Sequence, residues 1–384
     1  SEDTLESVQA RIVAAGLEDP WTADWLETLC DSIGPRLTGS AAMDAAIEFS
    51  AQTMRDAGFD RVWTEPVMVP HWERGNEWAR LTAPVEEELY ISGLGLSIGT
   101  PPEGIEAEVM VVTGEEELEQ RAAEAKGKIV LFYPEWKGYG SVVKYRGAGA
   151  SMAAKHGAVA ALVRSATNVS LATPHTGMMR YAEDIPEIPA AAVTVEDAAR
   201  MARQAARGTV VNVRLMMQAR NHEDREQPNV MGELRGRELP DQVVVVGGHL
   251  DSWDVGTGAH DDGAGCAITL GAARLLHALE LRPRRTIRVV LFNGEEQGGY
   301  GGRAYKETHA DELDRHVAAL ESDSGGFAPN GFSVRADEAV LERIKAYAAS
   351  LGSLGADNVR EGWAGVDIGP IVEAGVPGIG HRVK

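Results

Sequence analysis

Apolar residues recur at helical spacing in three stretches near the start of the chain, Leu5–Gly16, Thr22–Ile33 and Ala41–Gly58, broken at Asp19-Pro20 and Gly34-Pro35. An apolar side chain every three or four positions is what a helix needs to bury one face, so three helices are predicted. Arg61–Val69 then reads as a strand. From Gly104 to Met217 the apolar runs become short and β-rich: Ala107–Val112, Lys128–Tyr133, Ala158–Arg164, Ala190–Val195 and Val210–Met216 read as strands of a unit of their own. Past the polar segment Ala219–Pro228 the elements lengthen into strand Gln242–Gly247, helix Gly265–Leu279, strand Thr286–Asn293, helix Gly301–His309 and strand Val317–Glu321. Alternating strands and helices with almost wholly apolar strands predict an α/β fold, a mixed and mostly parallel sheet flanked by helices, interrupted by a β-rich insertion. The expected division is residues 1–100 and 221–384 for the main domain and 101–220 for the insertion, and a chain of 384 residues has room for both.

Composition narrows the function classes. Hydrophobic residues make up 44% and charged residues 25%, the balance of a globular protein, and no apolar run approaches the ~18 residues that a bilayer requires. A net charge of −21 repels phosphate backbones and anionic lipid faces, so neither nucleic acid nor a membrane surface is an expected partner. Cys30 and Cys266 alone cannot make a disulfide framework or a thiolate zinc cluster. Ser1 opens a polar stretch with no basic start and apolar core, so a secretory signal is expected to have been removed or never present.

The chemistry-bearing residues gather at the ends of the late strands. His249 and Asp251 follow the apolar run Val243–Val246; Asp261-Asp262-Gly263-Ala264-Gly265 opens the next helix; Glu295 and Glu296 follow the strand ending at Asn293; Glu321-Ser322-Asp323 ends the strand after that. Taken singly, a histidine at a strand end is usually a structural hydrogen bonder, an aspartate before a helix a cap, and paired glutamates a solvated surface. At the carboxyl ends of buried strands, adjacent acids repel unless a proton or a metal lies between them, and open α/β sheets place their ligands at that edge. One imidazole with several carboxylates is a donor set that suits zinc.

These segments, GGHLDSWDVGTGAHDDGAG, NGEEQGGYGG, ESDSGG and GVDIGPIVEAGVPG, resemble the co-catalytic zinc exopeptidases that include the bacterial leucyl aminopeptidases, most closely the plasma glutamate carboxypeptidase branch. KGKIVLFY, YRGAGASMAAKHGAVAALVRS, PHTG and IPAAAVTVEDA are similar to the protease-associated domain of that branch. The resemblance implies two zinc ions, with His249 and Asp323 on one, Asp261 bridging both and Glu296 on the second. It implies Glu295 as general base, Asp251 accepting a hydrogen bond from the far nitrogen of His249, and Asp262 as a geometric support. A water shared by the two ions would attack the scissile carbonyl of a peptide or dipeptide with a free amino terminus, Glu295 taking and returning the proton. The resemblance also implies export, as a secreted or periplasmic protein, and a homodimer. Ser252 has no assigned role, and His175 and Tyr181 read as loop residues of the insertion.

One ligand is missing from the pattern. The family's second zinc takes a histidine beyond the GVPG segment, and His381 falls too early, on the strand that should precede it. The chain is therefore expected to be a fragment of a longer product, binding one zinc well and the second poorly. Two rival classes keep parts of the same motifs: a receptor-like scaffold that does no chemistry, and an amidohydrolase or deacylase of the two-metal kind. The intact His249, Asp261, Glu295, Glu296 and Asp323 argue against the first, and the DDGAG and ESD segments against the second.

Overall fold

The apolar strands past residue 228 assemble into one eight-stranded sheet. In the computed structural model, which describes residues 4–384, that sheet is built from β1 (Arg61–Glu65), β2 (Asn229–Leu234), β3 (Leu239–His249), β4 (Arg285–Phe292), β5 (His316–Glu321), β6 (Pro329–Arg335), β7 (Asn358–Glu361) and β8 (Gly378–Val383). Ser1 lies outside the described residues. Across the sheet the order is β1-β2-β4-β3-β5-β8-β6-β7. The four central strands β4, β3, β5 and β8 run parallel, while β1, β2 and β6 enter antiparallel to their inner neighbours. The chain leaves β3 for β4 on one side and then returns to β5 on the other, so the strand order reverses at β3. A crevice opens at the carboxyl ends there.

Successive side chains of the central strands alternate between two cores, as the period of two demands. Val289 and Leu291 of β4 face a core with Trp25, Leu29, Met43, Met54, Cys266 and Leu270. Those residues come from α2 (Trp21–Thr28) and the wide turn after it, α3 (Ala41–Asp56) and α4 (Ala264–Ala278). Val290 and Phe292 face the opposite way, onto Tyr305 of α5 (Tyr300–Thr308) and onto Ile368 and Ile371. Both sides are thus covered by helices, which is why the parallel strands carry near-continuous apolar runs. The first predicted helix appears as Leu5–Glu18, capped by the Thr4 hydroxyl accepting the Ser7 N–H. The mixed, mostly parallel α/β architecture read from the sequence is the observed one.

The inserted unit is bounded at His71 and Glu223, earlier than the expected start at 101. Its own eight-stranded sheet takes in Glu77–Ala83, Glu87–Leu89 and Ile91–Gly93, which pair with Asn212–Met217 and Ala190–Val193. Ile129 and Leu131 point to one core, and Val130 and Phe132 to the other, beneath a helix at Gly140–Ala154. Where the chain crosses between the units, it pairs with itself twice. Met68–Val69 runs antiparallel to Arg225–Glu226 in the first unit, and Trp72–Glu73 to Arg220–Asn221 in the second. No helix among the described residues is long and apolar enough to cross a membrane.

Candidate metal centre

β3 delivers His249 at its last position, buried to 1% exposure, and the Leu250 N–H continues the pairing onto the Phe292 carbonyl. The ring is held from behind. His249 Nδ1 lies 2.9 Å from the backbone carbonyl of Asp251, so the ring donates there and turns the Nε2 lone pair outward. Around that nitrogen stand Asp261 Oδ1 at 3.0 Å, Asp323 Oδ1 at 3.6 Å and Glu295 Oε2 at 3.8 Å. Nε2 is buried and makes no hydrogen bond with any of them. Its neighbours are close but not placed as acceptors of a ring proton.

The expected role of Asp251 is corrected in its atoms. Its carboxylate is 3.8 Å from Nδ1 and instead accepts the backbone N–H groups of Gly294, Glu295 and Glu296 at 2.9, 3.2 and 3.2 Å. The tautomer of His249 is therefore fixed by the carbonyl of Asp251, and the carboxylate holds the turn that presents the two glutamates. The Asp262 oxygens accept the N–H of His249 at 3.1 Å and of Gly265 at 3.0 Å. Asp262 also lies with His249 and Asp323 in a group whose potential ligand atoms are all within 4.8 Å of one another. Each of its oxygens accepts one backbone N–H, while Asp261 Oδ1 approaches Nε2 of His249 to 3.0 Å. Gly265 makes this closure possible, since a Cβ there would lie 1.7 Å from the Ser322 carbonyl oxygen. With glycine, α4 can start against the end of β5 and bring Asp262 and Asp323 together.

Glu295 and Glu296 are both partly buried beside this group, but only Glu295 comes within 4 Å of the His249 ring. Burial first, then neighbouring acids, raise Glu295 to about 7 and Glu296 to about 9. Glu321, which accepts the N–H groups of Val366 and Ile368 at 2.9 and 2.8 Å, is raised by burial to about 8. Burial disfavours a charged His249, but Asp261 and Asp323 outweigh it and raise the imidazole well above its usual value. So many carboxyl groups about one imidazole require compensating positive charge. An orphaned, outward Nε2 facing oxygen donors fits a divalent ion of the zinc type better than a ring proton.

Two contributors have no sequence signature. Arg36, fully buried, donates to the carbonyls of Leu250, Thr257 and Gly258 at 2.5, 2.6 and 2.8 Å and fastens the loop between His249 and Asp261 from beneath. Asp367, at 1% exposure, has neither carboxyl oxygen hydrogen-bonded, and burial followed by Glu321 and Glu295 raises it well above the carboxylate range. The GVDIGP segment marked this stretch, but not the burial of its acid. His381 sits on β8 with Nδ1 3.0 Å from the Ser322 hydroxyl and is not among the groups around His249. It also lines a cavity of about 530 Å³ beside Asp323 with Trp363 and Arg382. Tyr181 is tied within the inserted unit, its hydroxyl donating to the Ile188 carbonyl at 2.7 Å.

Comparison with known proteins shows the family and the fold. Residues 229–382, from the start of β2 to the penultimate residue of β8, match the model of peptidase family M28. Human carboxypeptidase Q is 44% identical over 353 residues, covering 92% of this chain and 75% of the relative, and the Xenopus laevis protein is 45% identical over the same shares. A peptidase M28 precursor from Shewanella amazonensis superposes with a TM-score of 0.95 at 33% identity, over all of this chain and 88% of that one. A zinc aminopeptidase from Bacillus subtilis shares the fold at a TM-score of 0.72 and 22% identity, over 94% of this chain and 84% of that one.

Proposed function

The chain belongs to peptidase family M28, and from that premise we propose that it is a zinc-dependent exopeptidase acting on dipeptides or short peptides with a free amino terminus. The observation that carries the reading is the buried Nε2 of His249, unpartnered and turned toward Asp261, Asp323 and Glu295. His249 and Asp323 would hold one zinc, Asp261 would bridge to a second, and Glu296 would hold that second ion. Bound zinc would supply Lewis acidity to the scissile carbonyl and lower the pKa of an attacking water.

The rest of the chemistry belongs to the protein. Glu295, raised by burial to about 7, can take a proton and return it near neutral pH, which is what a general base that later acts as acid requires. Asp251 keeps that carboxyl in place through the N–H groups of residues 294–296. Arg36 contributes a fixed positive charge beneath Asp251 and Asp262. The inserted unit would be a protease-associated domain, the working form a homodimer, and the place of action outside the cytoplasm; the resemblance of the sequence motifs is what supports these three readings.

Hydrolysis of an unblocked dipeptide, followed beside zinc content, tests the assignment. Glu295→Gln should lower turnover by roughly 10²–10⁴-fold and leave the zinc content unchanged. Unaltered turnover would contradict Glu295 as base, and absence of turnover in the parent would favour a scaffold role for the centre. N-acetylation of the substrate should abolish cleavage; a preference for the acetylated form would instead favour a deacylase.

A further inference from the structure

The inserted unit carries a second cluster of metal-binding side chains, which takes no part in the centre around His249. Trp72–Glu73 pairs antiparallel with Arg220–Asn221, with Asn221 opposite Trp72 and Arg220 opposite Glu73. Continuing this register sets His222 opposite His71, and the His222 N–H donates to the His71 carbonyl at 2.8 Å. His71 and Glu73 are two positions apart on an extended strand and share a face, so Glu73 lies diagonally across from His222. The two imidazoles stack with centroids 4.5 Å apart and planes at 27°. Glu73 reaches both rings, Oε1 4.0 Å from His71 Nε2 and Oε2 3.1 Å from His222 Nε2. Ligand atoms of all three residues fall within 4.8 Å of one another.

We propose that His71, Glu73 and His222 bind a divalent transition ion, zinc in the first instance, that ties together the strands by which the chain enters and leaves the inserted unit. Tetrahedral zinc with bonds of about 2.0–2.2 Å needs ligand atoms roughly 3.3 Å apart, so closing the group takes side-chain shifts below about 1.5 Å. Two imidazole nitrogens and a carboxylate select zinc, nickel or copper over magnesium and calcium, which prefer all-oxygen shells. The fourth position faces solvent, as the exposure of Glu73 and His222 requires. This leaves room for water and makes the site a clip rather than a second active centre. Arg220 stands opposite Glu73 in the register.

Zinc bound per chain, counted by elemental analysis during a free-zinc titration of the full chain, tests the site. The His71→Ala/His222→Ala double variant should bind one zinc fewer than the parent while hydrolysing peptide at the parent's rate. Glu73→Gln, which keeps the shape of the ribbon, should weaken that additional zinc by at least about tenfold. Should the double variant fail to fold, Glu73→Gln decides alone. Equal stoichiometry in parent and double variant, or an additional zinc held as tightly in Glu73→Gln as in the parent, overturns the proposal.

Discussion

We propose His249 as a ligand because each of its two nitrogens has a separate task. Nδ1 spends its proton on the carbonyl of Asp251, and Nε2 is left as a lone pair in an acidic cup. Since the backbone rather than the carboxylate of Asp251 fixes the ring, Asp251→Asn should leave zinc content largely intact. It should lower turnover, because an amide offers one oxygen and a repelling NH₂ to the three N–H groups of residues 294–296. Parallel assays of zinc and turnover check this, and a variant that loses zinc in proportion to activity would return Asp251 to a role behind the histidine. At this scale the sequence was informative where chemistry and strand ends coincided. His249, Asp261, Glu295 and Asp323 each follow an apolar run or open a helix, and the structure brings the three carboxylates within 4 Å of the His249 ring. Arg36 and Asp367 were illegible because their partners are distant in sequence: carbonyls more than two hundred residues away for Arg36, and the buried surroundings of Glu321 for Asp367.

Elements position the centre through a few buried polar ties. Arg36→Ala would leave the carbonyls of Leu250, Thr257 and Gly258 without their donor, at a cost of about 3 kcal/mol or more in unfolding free energy. Denaturant melts measure it, and a change within about 0.5 kcal/mol would mean that the loop is held by other means. A second tie lies away from the centre, on β1. Burial alone would raise Glu65, but hydrogen bonds from His309 and Trp63 and the charge of Arg288 outweigh it and hold the carboxyl below its usual 4.5. The folded chain then binds this proton less readily than the unfolded chain. Its contribution is complete above about 4.5 and disappears as pH falls through the lower folded value. Glu65→Gln should flatten the acid limb of stability against pH below about 5, and parallel limbs for parent and variant would contradict the linkage. Among elements, long apolar strands were legible and short ones were not. Glu77–Ala83 alternates between exposed and buried positions without a long apolar run, so it gave no signal of the insertion's early start. The helix Gly140–Ala154 is mostly small residues, and its last turns are buried at Gly149, Ala150, Ser151, Ala153 and Ala154, around most of its circumference, which leaves no helical stripe to read.

Across the whole molecule, two units with separate cores divide the work. The first, residues 4–70 and 224–384, holds the His249 group. Chelation of the metal should therefore loosen amide protection at the carboxyl ends of β3 and β5 and at the start of α4. The inserted strands Ile129–Phe132 and Ala160–Arg164 should exchange unchanged. Hydrogen exchange with and without chelator checks this, and equal loosening of both units would contradict two separable cores.

The most direct test of the metal centre is an anomalous difference map, collected at the zinc edge from crystals of the full chain equilibrated with zinc. A peak is expected about 2.0–2.1 Å from Nε2 of His249, with Asp261 and Asp323 closing on it. A map with no peak in bonding reach of that nitrogen, or with its only peak elsewhere, would contradict the central claim.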